Sequence, residues 1–159
     1  MRDDYTPNEL RQLFETAVQV GFAVIAASRS GVVGTFDEMR ALVTAPETIA
    51  EQHYPSNKLI QAVLPKDPSA ELSADYSKPS LKGPQQLRSE AVASCEAAAK
   101  ILEAKEDEEG AEYKAWVIHI GEAVADSAKE SMNPFAKPTS SEEKAVLRDC
   151  ARALGVGYS

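Results

Sequence analysis

The stretch that most constrains this chain opens at Thr6-Pro7-Asn8-Glu9 and continues with Leu10, Leu13, Phe14, Ala17, Val18, Gly21, Val24 and Ile25, spaced three and four residues apart. That spacing puts all eight on one side of an α-helix, whereas a strand face repeats every second residue. Thr6 is placed to cap, Pro7 suits the first helical position and Glu9 completes a capping box, so a helix is predicted to end near Ser28. A stripe of this length must be covered by other parts of the chain. Gly21 costs about 1 kcal/mol relative to Ala inside a helix, which implies that another helix approaches closely there.

The same logic runs on. Ser30-Gly31-Val32-Val33-Gly34 reads as a turn, and Thr35-Phe36-Asp37-Glu38 as a second capping box opening a helix with Met39, Leu42 and Val43. Pro46 is expected to interrupt or kink it, because proline lacks an N–H and crowds the preceding turn. Residues 47 to 54 are expected to resume the helix, and Ser56 to cap a short one through Leu64. Gly83-Pro84 opens a long helix with Leu87, Ala91, Ser94, Ala98, Ile101 and Leu102. Lys100 and Lys105 near its end, and Asp107, Glu108 and Glu109 before the next, suit the two helix dipoles and predict a helical hairpin with a tight acidic turn. The next helix carries Tyr113, Trp116, Val117, Ile120, Ala123, Val124 and Ala128, and Ser131 to Thr139 reads as a loop. Ser140-Ser141-Glu142-Glu143 caps a last helix bearing Ala145, Val146, Leu147, Cys150, Ala151 and Leu154, which Gly155 and Gly157 stop.

The expected fold class is therefore all-α: one domain over residues 1–159, a bundle of about five main helices, with halves 6–64 and 84–155 joined by a long connection, 65–83. Connections above ~15 residues tend to be functional or mobile. Residues 7–45 and 110–155 share a plan of long helix, loop, capping box and shorter helix. Either they are two pseudo-repeated helix-loop-helix halves, or capped amphipathic helices simply look alike. At 159 residues the chain can bury on the order of 70% of its unfolded surface without disulfide or metal. Its 43% hydrophobic content is alanine-rich with only 6% aromatic, which favours close-packed helices over sheet.

The net charge of −8 argues against a general nucleic-acid binder and against docking on anionic membranes. Met1 to Pro7 contains no apolar run behind a basic flank, and no segment approaches the ~20 apolar residues of a membrane span, so a cytoplasmic protein is expected. Cys95 and Cys150 fall in separate predicted helices without zinc-site spacing and read as partly buried thiols.

Few residues offer chemistry. His119 and Glu122 stand three apart, with Glu112 two turns back, so the three share a helix face on which a metal ligand set is conceivable. Dinuclear carboxylate bundles, however, use Glu-x-x-His on two helices, a pattern this chain lacks. No nucleophile arrangement, phosphate loop or dinucleotide fingerprint is present, so no catalytic residue and no cofactor is expected. The loop apolar residues Val32, Val33, Met132 and Phe135 either form a partner surface at one end of the bundle or plug its core.

The chain resembles, across most of its length, a family of small bacterial all-helical proteins. More distantly, Ala26-Ala27-Ser28-Arg29-Ser30-Gly31 followed by Thr35-Phe36-Asp37-Glu38, and Ser140-Ser141-Glu142-Glu143 running to Ala153-Leu154-Gly155, resemble the helix-loop-helix pattern of tellurite-resistance TerB-like domains. That resemblance implies a metal-ion or stress-response role served by carboxylates such as Asp37, Glu38, Glu142 and Glu143. Where that family's loop carries Asp before Gly, this chain has Ser30. The leading expectation is a non-enzymatic bundle that acts through protein contacts, with a second copy or another protein.

Overall fold

The computed structural model describes residues 4–27, 32–65, 84–132 and 141–157. These residues form an all-α bundle of six helices: α1 (Pro7–Ala27), α2 (Val32–His53), α3 (Lys58–Val63), α4 (Pro84–Lys105), α5 (Gly110–Met132) and α6 (Ser141–Leu154). No strand occurs among them, and none of their helices is long and apolar enough to cross a membrane. Most of the connection, residues 66–83, lies outside the described residues.

α1 is the hub. The capping box is present in both directions: Thr6 N–H donates to Glu9 Oε1 (2.9 Å) and Glu9 N–H to Thr6 Oγ1 (3.1 Å). The stripe it launches buries Leu13, Phe14, Ala17, Val18, Gly21 and Val24. α1 packs against α2, α3, α4, α5 and α6, while α2 lies chiefly on α5 and α6 chiefly on α4. The expected hairpin of α4 and α5 is a corner instead. The two do not pack along their lengths, because α1 takes a place against both. Two buried hydroxyls mark this: Tyr113 of α5 donates to Leu13 O (2.6 Å), and Thr16 of α1 donates to Gln12 O (2.9 Å) and to Ser94 O of α4 (3.2 Å).

The close approach at Gly21 is real. A methyl there would overlap Leu42 Cδ1 of α2, a side chain with no exposure and so no room to yield. Gly121 of α5 has the same relation to α6, since its methyl would stand 2.5 Å from Leu147 Cδ2 and 3.2 Å from Val20 Cγ1. Overpacking such contacts costs about 1–3 kcal/mol. Around them the largest fully buried side chains, Trp116, Tyr113, Leu13, Leu42, Leu59, Ile60, Ile120 and Leu147, belong to one cluster drawn from both halves.

Several boundaries differ from expectation. α2 begins at Val32, so Val32 and Val33 open a helix and the Thr35 capping box falls inside it. α2 also runs through Pro46 without interruption. Proline inside a helix costs about 3 kcal/mol, and here the residue is buried with its carbonyl accepting the Trp116 indole N–H (2.9 Å), so packing against α5 offsets the loss. Asn57, not Ser56, caps α3. α5 extends to Met132, which therefore ends a helix and is not part of the following loop. α6 stops as expected: Gly155 (φ 84°) is left-handed, Val156 N–H reaches Ala151 O (2.9 Å) and Gly155 N–H reaches Arg152 O (3.0 Å), a Schellman ending.

Candidate functional site

Among the described residues, two surface places gather groups relevant to function. The first is where the end of α2 meets the middle of α5. Asn57 is 1% exposed and does three things there. Its Oδ1 accepts Ile60 N–H (2.8 Å), and its Nδ2 donates to Glu112 Oε1 (3.0 Å) and to Glu109 O (3.3 Å). The Glu109 carboxylate accepts Lys58 N–H (2.9 Å) and Leu59 N–H (3.2 Å). The first turn of α3 is thus fastened to the start of α5 through N–H groups that a helix leaves unpaired, each cap being worth ~1 kcal/mol.

That fastening sets Tyr54, just past α2 and 9% exposed, against His119 of α5. Its hydroxyl lies 2.9 Å from His119 Nδ1, and the rings stack with centroids 5.9 Å apart and 30° between planes. His53, exposed on the last turn of α2, completes a trio, its ring 5.9 Å from that of His119 and 6.3 Å from that of Tyr54. Burial, and then the carboxylates of Glu112 and Glu122, push the Tyr54 phenol above its ordinary range, so it stays protonated at neutral pH. Burial also raises the Glu122 carboxyl, with His119 pulling it down and Asp126 pushing it up.

The second place is an open groove of about 640 Å³ between the ends of α4 and α6 and the start of α5. Ala99, Ala111, Ala153 and Val156 line it together with the charged side chains of Glu103, Glu106, Asp107 and Lys114. Glu106, just past α4, is in the left-handed region (φ 49°), and it lines the groove together with the left-handed Gly155 that stops α6. The adjoining turn is anchored to the start of the described chain, with Tyr5 O–H donating to Asp107 Oδ2 (2.7 Å) and Lys105 pairing with Glu9 (3.2 Å) over the Tyr5 ring.

The expected face of α5 exists only in part. His119 lies close enough to lower the Glu122 carboxyl, while the Glu112 carboxylate accepts from Asn57 Nδ2. Among the described residues no three His, Cys, Asp or Glu side chains converge as a metal set. The pairing of His119 with His53 was not foreseen. These residues stand 66 positions apart, and only the packing of α2 on α5 joins them. Of the loop carboxylates, Glu143 is buried on α6 at 6% exposure. Asp37 and Glu38 lie in α2 and Glu142 in α6, with side chains outside the described residues, as are those of Val32, Val33 and Met132 and the whole of Phe135.

Cys95 and Cys150 are wholly buried and meet between α4 and α6. The hydrogen bond with Cys150 and then burial push the Cys95 thiol far above the range in which a thiolate forms, so Cys95 is not disposed to act as a nucleophile. No family model matches the chain, and no curated protein or solved structure is detectably similar to it.

Proposed function

We propose that this protein is a non-enzymatic helical bundle that works through protein contacts, receiving an apolar segment with basic flanks in the groove at the ends of α4 and α6. The groove itself carries this reading. Its lining of Ala99, Ala111 and Ala153 lets a backbone approach closely, as helix packing over small residues requires. Among the described residues the lining carries Glu103, Glu106 and Asp107 against the one cation Lys114, an acidic balance that favours a basic partner, and a net charge of −8 adds a long-range field of the same sign.

The test compares wild type with Ala111→Arg, a change at an exposed groove position that leaves the thermal melt unaltered. Sedimentation over a range of concentrations detects a second copy, and affinity capture followed by mass spectrometry detects another protein. The reading predicts an associate that binds wild type and is lost in the variant. A monomer at every concentration, whose captured proteins are the same for both forms, overturns it.

A further inference from the structure

The fold brings together the only two histidines in the sequence, from elements distant in the chain, on an exposed surface. Nothing in the core requires this, since neither ring is buried. Two imidazoles sharing one tetrahedral ion at ~2.1 Å have ring centres roughly 5 Å apart. The centroids of His53 and His119 are 5.9 Å apart with planes tilted by 56°, close to that separation, and the His53 side chain is exposed. The His119 ring is already oriented. In the tautomer whose Nδ1–H donates to the Tyr54 phenol oxygen, the Nε2 lone pair is left for a ligand, the outer-shell arrangement that metal-binding histidines use. Glu122, one turn along α5, adds negative charge beside the pair.

From this we propose that His53 and His119 form a two-histidine site for a divalent transition-metal ion of the class that prefers imidazole nitrogen, copper, nickel or zinc. Tyr54 is its positioning residue, and water fills the remaining coordination positions. The two nitrogen donors set the preference, since sites of this kind rank copper(II) above nickel(II) and zinc(II) and hold magnesium and calcium poorly. The site stands apart from the groove and does not depend on what the groove receives.

Calorimetric titration of the full chain with copper(II), zinc(II) and magnesium salts tests it, alongside His53→Ala, His119→Ala and Tyr54→Phe. Both histidines are exposed, so their variants keep the wild-type melt. One equivalent of copper(II) binds wild type, with zinc(II) weaker and no heat from magnesium. Each histidine variant weakens binding by at least about tenfold, and Tyr54→Phe weakens it by about tenfold by releasing the His119 ring. The electron paramagnetic resonance spectrum of the copper(II) form shows coupling to two imidazole nitrogens, and to one in His53→Ala. Binding that persists unchanged in either histidine variant, or no saturable binding of copper(II) to wild type, overturns the proposal.

Discussion

Tyr113 and Tyr54 both send a hydroxyl to a neighbouring helix, but to different kinds of partner. Tyr113 lies in the interior among α1, α4 and α5 and donates to a backbone carbonyl of α1. Thr16 and Trp116 behave likewise, sending their hydrogens to Gln12 O, Ser94 O and Pro46 O. Every such bond ends on main chain that cannot titrate, turn or leave. Its role is to fix how helices sit and to relieve the cost of a buried polar atom. Tyr54, at the rim between α2 and α5, faces the titratable ring of an exposed histidine, with two carboxylates and a second histidine around it. For Tyr113 and Tyr54 the destination of the bond separates scaffold from site, although both regions are built on the same helix, α5.

The contrast can be broken at its strongest point first. Trp116→Ala removes the largest interior side chain together with the bond to Pro46 O, and is expected to cost about 3–5 kcal/mol in urea denaturation. A loss below about 1 kcal/mol would mean that the interior is not packed as described. Next comes the tyrosine pair itself. Tyr113→Phe strips a donor from a dry interior and should cost about 1–2 kcal/mol, while Tyr54→Phe should cost less than about 1 kcal/mol because water reaches the exposed His119 ring. In return, the ¹⁵N shifts of the His119 ring move in Tyr54→Phe and stay put in Tyr113→Phe. Equal costs, or shifts that move in both, would erase the distinction.

The smallest effect depends on pH. Burial raises the Glu122 carboxyl, so the folded chain holds that proton more tightly than the unfolded one, and stability falls as pH rises from the ordinary glutamate pKa through the raised value. Glu122→Gln is therefore more stable than wild type at neutral pH, and the gain disappears in acid once the wild-type carboxyl is protonated in both states. Thermal melts from about pH 3 to about pH 8 check this. A variant less stable than wild type at neutral pH contradicts the assignment.

Local signals were legible and long-range ones were not. The Thr6–Glu9 capping box, the α1 stripe, the tight approach at Gly21 and the Gly155 stop all follow from residues within a few positions of one another. Pro46 misled because its cost is offset by Trp116, 70 residues away. The start of α2 misled because the Val32–Val33 pair reads as a turn between glycines, although its backbone is helical. The corner between α4 and α5 was mistaken for a hairpin because charge reversal shows that one helix ends and another begins, not what slides alongside them. The His53–His119 pair and the meeting of Cys95 with Cys150 had no local signature at all, since each depends on which two helices become neighbours.

The central position of α1 has a cost during synthesis. The ribosome makes this helix well before α4, α5 and α6, the three helices that hide much of its greasy side. At ~5–20 residues per second the wait is on the order of ten seconds. Throughout that interval the nascent chain has only α2 and α3 to set against the ridge. Burial of the rest of α1 therefore waits for α4, α5 and α6, and a stall in translation before α6 emerges leaves apolar surface open to chaperones or to aggregation.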